Sequence, residues 1–313
     1  MKKYILYILI LNSIYKNYSQ QNLPVYTDYL SDNNYLVHPA VSGISTIDKI
    51  RFTVRQQWSG IAESPNLQTL SGFIHLNDEN SLGMTLYNDQ NGNYSRQSIK
   101  LGYTYKVNLG KNEQQKMAFS IGLSYLSNFL NTESFNLPDR IIGQTDLKQR
   151  QYNIDVGFAF RSKRFFSLYT IKDLAPVKNF FTDKTTNIRH HLVSIGYFIK
   201  GDEHKFKIQM SLLGQYLEQT DQNILDTNIK FFFPLKNNEF WSGISYRQDF
   251  GNDNDLQKSS FGSFILGYSI KQFIFTYSYM KQFNEITFSA YGFHQIGIGY
   301  NFDLKRQQHF WEL

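Results

Sequence analysis

From about Lys49 to its end, this chain alternates between apolar and polar residues in short bursts, with a period of two rather than 3.6. In Ser98 to Leu109, the residues Ile99, Leu101, Tyr103, Tyr105, Val107 and Leu109 share one face. Ser98, Lys100, Gly102, Thr104, Lys106 and Asn108 share the other. Successive side chains of a strand point to opposite sides, so each such segment faces an apolar medium on one side and a polar one on the other. The pattern predicts about fourteen strands. They span 49–58, 67–76, 81–88, 98–109, 116–126, 150–161, 164–172, 188–199, 204–217, 224–234, 239–249, 260–269, 272–281 and 291–302.

The connections add a second rhythm. Those after even strands are tight, as at Asn77-Asp78-Glu79-Asn80, Ser162-Lys163 and Ile270-Lys271. Most of those after odd strands are longer, notably 127–149, 172–187 and 250–259. Short turns on one rim and long loops on the other are the habit of bacterial outer-membrane barrels, whose short rim is periplasmic. The expected fold is therefore all-β: one transmembrane antiparallel up-and-down barrel over 49–302. A propeller would need a blade repeat near forty residues, and a sandwich of this length a second domain and a linker; neither is visible.

The front end agrees. Lys2 and Lys3 precede an apolar stretch from Tyr4 to Ile14, and polar Ser19-Gln20-Gln21 follows. This is the order of an export signal, expected over 1–19. Beyond it no apolar run approaches the about eighteen residues of a membrane helix. Setting Lys2, Lys3 and Lys16 aside leaves 29 basic against 26 acidic residues, a formal +3, which is no nucleic-acid footprint. Cysteine is absent and none of the seven histidines has metal-ligand spacing, so neither a metal nor a cofactor is expected. Aromatics make up 17 % of the chain. Trp58, Tyr87, Tyr125, Tyr169, Tyr197, Tyr216, Trp241, Tyr268 and Tyr279 fall near expected strand ends, where rings with a polar tip suit the headgroup layer.

The most specific local text lies between Tyr29 and Gly92. Tyr35-Leu36-Val37-His38-Pro39-Ala40 is followed by Arg55-Gln56-Gln57-Trp58, then Pro65 and Thr69, then Leu82-Gly83-Met84-Thr85-Leu86-Tyr87-Asn88-Asp89. This order resembles the PorP/SprF family of type IX secretion outer-membrane proteins, which shows Asn-Pro-Ala, Arg-x-Gln-Trp, Pro-x-Thr and a Gly-rich strand ending in Tyr-Asn-Asp. The close of the chain, Tyr291 to Phe302, is similar to that family's final strand. His38 departs from the family's Asn, Pro65 to Thr69 is wider than Pro-x-Thr, and 303–313 extends past the usual end.

The resemblance implies an integral outer-membrane protein of the secretion and gliding machinery. Some members retain the C-terminal domain of a large secreted adhesin at the cell surface, and others are linked to further components of the machine. The matching residues Pro39, Ala40, Arg55, Gln57, Trp58, Gly83, Tyr87, Asn88 and Asp89 all have structural explanations. Arg55 shares the polar strand face with Lys49, Arg51, Thr53 and Gln57, and Asn88-Asp89 suit a turn. Phe129, Phe135, Phe180 and Phe181, in expected loops, are candidate partner contacts, since exposed aromatics often anchor interfaces.

A barrel of about fourteen strands is too wide to be filled by its own side chains. Residues 20–48, which precede it, are a candidate plug starting in the periplasm, with 303–313 a periplasmic extension. An alternative is a porin-like channel for small solutes, for which Arg51, Arg55, Asp155, Arg161, Asp226 and Lys230 would line the lumen; the same residues would equally suit a closed ion-pair network. A third reading, a lipid enzyme, would need His294 with Ser278 or Ser289 as base and nucleophile on one outward face. No motif supports it, and no enzymatic activity is expected.

Overall fold

The computed structural model describes residues 29–57, 64–109, 115–131, 147–178, 185–200, 206–235, 238–251, 259–283 and 292–302. The expected signal, Trp58, Phe135, Phe180, Phe181, Ser289 and residues 303–313 lie outside them. Sixteen strands follow in chain order. β1 (Lys49–Gln57), β2 (Asn66–His75), β3 (Asn80–Asn91), β4 (Tyr94–Leu109), β5 (Gln115–Leu130), β6 (Leu147–Ser162) and β7 (Phe165–Lys172) come first. β8 (Val177–Lys178) and β9 (Thr185–Thr186) form a small separate hairpin. β10 (His190–Lys200), β11 (Lys207–Leu217), β12 (Gln222–Pro234), β13 (Asn238–Asp249), β14 (Ser260–Ile270), β15 (Phe273–Phe283) and β16 (Phe293–Asn301) complete the chain.

Apart from β8 and β9, the strands close into one barrel in sequence order, with β1 pairing β16 from Lys49↔Asn301 to Gln57↔Phe293. Neighbouring barrel strands are antiparallel, and closure leaves no edge within the apolar band. Burial is the reverse of a water-soluble protein. In β1, Lys49, Arg51, Thr53 and Arg55 are buried while Phe52 is 44 % exposed. Ile121, Leu123, Ile195, Ile244, Phe275 and Ile298 are likewise exposed, as lipid-facing side chains are.

Several strands run further than hydrophobic alternation indicates. β3 and β4 continue through Asn88↔Gln97, Asp89↔Arg96, Gln90↔Ser95 and Asn91↔Tyr94, and the reversal is at Gly92, whose φ is +54°. Asn88 and Asp89 are therefore ladder residues and not a turn. β5 and β6 each have sixteen residues, and Phe129 pairs with Lys148 on the strand instead of sitting in a loop. Above the bilayer both faces of a strand meet water, so the apolar alternation that marks strands in sequence disappears there.

The aromatic belt is also thinner than expected. Tyr125, Tyr169, Tyr197, Tyr216, Tyr268 and Tyr279 share the faces of lipid-exposed residues on their strands. Trp241 points inward and is 3 % exposed, beneath the ammonium of Lys230 at 4.8 Å from its ring. Tyr87 also faces the lumen, since it pairs directly with the buried Thr69 and Ser98.

Candidate functional site

The lumen is occupied by the chain's own residues 29–48. A 3₁₀ turn over Asn34–Leu36 and one helical turn over Val41–Ile44 compact this segment, and its side chains reach walls on every side. Tyr29 donates its hydroxyl to Asp226 at 3.1 Å and accepts from Asn228 at 3.0 Å, both on β12. Gln295 of β16 donates to Ser31 at 2.8 Å, and Ser71 of β2 donates to Asn33 at 3.0 Å. Lys172 of β7 donates to the Leu36 carbonyl. His38 spans two strands, its Nδ1 lying 2.9 Å from Thr170 of β7 and its Nε2 2.8 Å from Ser194 of β10. Ser42 donates to Thr104 of β4 and accepts from Ser81 of β3. At the base, Asp48 holds His75 of β2 at 2.5 Å.

Charge and apolar packing reinforce these contacts. Asp32 pairs with Arg51 at 2.6 Å. Burial alone would raise the Asp32 pKa, but Lys49, Arg51 and Lys230 outweigh it and hold it down at about 2. Arg247 grips Asp226 with two nitrogens at 2.5 and 2.6 Å, and Lys100 binds Asp155 at 2.9 Å. Of the lumen-facing charges expected from the sequence, Arg51, Asp155 and Asp226 are thus held in ion pairs. Ala40, Val41 and Ile44 pack on Ala118, Ala159, Phe166, Leu168 and Phe198. Tyr29, Leu30 and Val37 pack on Leu192, Leu213, Trp241 and Ile265. Two cavities between segment and wall, of about 20 and about 10 Å³, each have room for roughly one water molecule.

The motif residues converge on this interior. The Pro39 carbonyl accepts the backbone N–H of Ser42 at 3.1 Å and starts the helical turn, and the Ala40 methyl abuts Gly157. Gly83 makes the slot for Tyr35: a Cβ there would lie 2.1 Å from the Tyr35 hydroxyl. Arg55, Leu67, Asp89 and Arg96 form one cross-strand row across β1 to β4, with Arg96 stacked 6.0 Å from the Tyr87 ring. Gln57 closes β1 by donating its N–H to the Pro65 carbonyl at 3.0 Å. Asn88 faces outward and accepts from Gln97.

Sequence reasoning missed Tyr29, Asp32, Lys172 and the bridging role of His38. The charged pattern of the lumen signalled pairing, but nothing in the text of residues 29–48 names the strand each side chain meets. The Ser278 form of the lipid-enzyme reading fails on geometry, and Ser289 lies outside the described residues: His294 points outward to Tyr277 at 2.9 Å, whereas Ser278 points inward beside Arg55 and Gln295. Base and nucleophile on opposite faces of a wall cannot meet. Among the described residues there is no cluster of three metal-ligating side chains.

A model of the family described as "Type IX secretion system membrane protein PorP/SprF" matches residues 18–300. No curated protein matches the chain. Among solved structures, a FadL homologue from Pseudomonas aeruginosa is similar in fold, with 9 % identity, a TM-score of 0.52, and coverage of 87 % of this chain and 94 % of that one. The monoaromatic hydrocarbon channel CymD is similar at 11 % identity and a TM-score of 0.51, covering 86 % and 92 % respectively. At such identities the likeness is one of fold alone.

Proposed function

The chain belongs to the PorP/SprF family of type IX secretion membrane proteins, and from that premise we propose that it holds a secreted surface adhesin at the outer membrane by the adhesin's C-terminal domain. The single observation behind this reading is the filled lumen. Residues 29–48 act as a plug in this scheme: Tyr29, Asp32 and His38 are bonded to the wall, and two cavities beside the segment each have room for roughly one water molecule. A solute channel needs a continuous aqueous path, whereas an anchoring barrel needs a rigid body in the membrane and a surface above it. Residues 1–19 are the export signal of this scheme, and 303–313 extend into the periplasm. Phe135, Phe180 and Phe181 of the long-loop rim are its partner contacts, with Phe129 on the strand below, and other machine components are further partners.

Two measurements test it. Deleting the gene should release the adhesin into the medium, and the purified protein should give no steady conductance in planar bilayers. A steady open pore, together with an adhesin still held in the deletion strain, would return the reading to a porin-like channel.

A further inference from the structure

β6 is paired along its whole length with β5, from Ser162↔Gln115 to Leu147↔Leu130. Its other neighbour, β7, covers only Val156 to Ser162. Above that point the chain leaves the ladder at Asp173, whose φ is +56°. It stays tied to β6 by Leu174 donating to the Ile154 carbonyl at 2.9 Å, and by the Asn153 side chain bonding both backbone groups of Ala175. Because the Ile154 carbonyl faces this edge, strand alternation turns the backbone N–H and C=O of Tyr152, Arg150 and Lys148 the same way. Among the described residues none of these groups has a backbone partner.

This stretch of edge, unpaired among the described residues, stands outside the bilayer. Sixteen residues at about 3.3 Å each, tilted about 40°, rise roughly 40 Å against an apolar band of about 25 Å. The Tyr125–Tyr152 ring pair, 5.2 Å between centroids, marks the headgroup level. Above it two polar pairs, Ser127 opposite Arg150 and Asn128 opposite Gln149, lie between Leu126 opposite Gln151 and Phe129 opposite Lys148. The side chains of Lys148 and Arg150 point outward and are exposed.

We propose that the β6 edge from Lys148 to Tyr152 takes up an extended acidic strand of the secreted partner by β-augmentation. Main-chain bonds supply the grip, and Lys148 and Arg150 select a strand carrying Asp or Glu at every second position. The inference rests on the anchoring reading and names where that grip is. The same two cations keep the edge from pairing with copies of itself, as basic residues on edge strands do.

The test uses the full-length protein and a capped eight-residue peptide alternating Glu and Val, with a Lys–Val peptide as control. Hydrogen exchange should show the amides of Lys148, Arg150 and Tyr152 exchanging rapidly in the free protein and protected by the Glu–Val peptide. Arg150→Pro removes a donor from the open edge and leaves the β5 ladder intact; it should weaken peptide binding at least ten-fold with the melting temperature unchanged. Lys148→Glu with Arg150→Glu should switch preference to the Lys–Val peptide. Amides already protected in the free protein, or binding unaffected by Arg150→Pro, overturn the proposal. In cells, release of the adhesin by a folded, inserted Arg150→Pro protein supports it. Retention there, with release on deletion, overturns the edge and leaves anchoring intact. Retention in the deletion strain sinks both.

Discussion

His38 joins β7 to β10 through two hydroxyls, and neither ring nitrogen meets a carboxylate. Burial, and secondarily the charge of Lys172, pushes its pKa well below the ordinary imidazole value of about 6.5. The folded protein therefore keeps His38 neutral, while the unfolded chain takes up a proton below about pH 6.5. The stability it contributes is complete above that pH and is lost as pH falls, by up to about 1.4 kcal/mol per unit. His38→Asn keeps a donor and an acceptor for Thr170 and Ser194 but does not titrate. Its melting temperature should consequently fall less than the wild type's between pH 7 and pH 5, in paired thermal scans. Equal slopes for the two proteins would refute the assignment.

At the scale of elements, the internal segment and the wall are shaped for each other where the wall loses its side chains. Gly83 and Gly102 are opposite each other on β3 and β4, and Tyr35 lies over both. Gly83→Val should expel the ring, lower stability by about 1–3 kcal/mol through overpacking, and produce channel events in bilayers. Adding Tyr35→Ala should recover part of that stability, a coupling a double-mutant cycle reads directly. The strands within the bilayer were legible in the sequence because lipid on one side and a polar lumen on the other impose a period of two. The upper parts of β3 to β6 were not, since Asp89, Arg96, Asn128 and Lys148, beyond the expected strand bounds, lie where no lipid imposes an apolar face. Trp241 looked like a belt residue because aromatic content near a strand end does not say which way the ring points; the inward phase of β13 decides that. The candidate plug could be named from its position before β1, but Asp32 and His38 acquire partners only once strands far along the chain are in place.

For the whole molecule, the medium decides which substitutions are tolerated. Ile244 is 54 % exposed near the middle of β13, so in a soluble protein a charge there would cost little. In this barrel Ile244→Arg puts a guanidinium among acyl chains and should destabilise the protein by about 2–4 kcal/mol in liposome unfolding experiments. An unchanged unfolding midpoint would place that face in water. The internal segment also sets an order of events in assembly. Each hairpin joins residues close in sequence, and such contacts form early because little loop entropy opposes them. Tyr29, by contrast, meets Asn228 at a separation of 199 residues, and Ser31 meets Gln295 at 264. The segment made before any strand therefore gains these partners only once β12 and β16, far along the chain, are in place. A barrel with either strand slipped by one residue would turn Asn228 or Gln295 to the lipid face and leave Tyr29 or Ser31 without the bond it makes here.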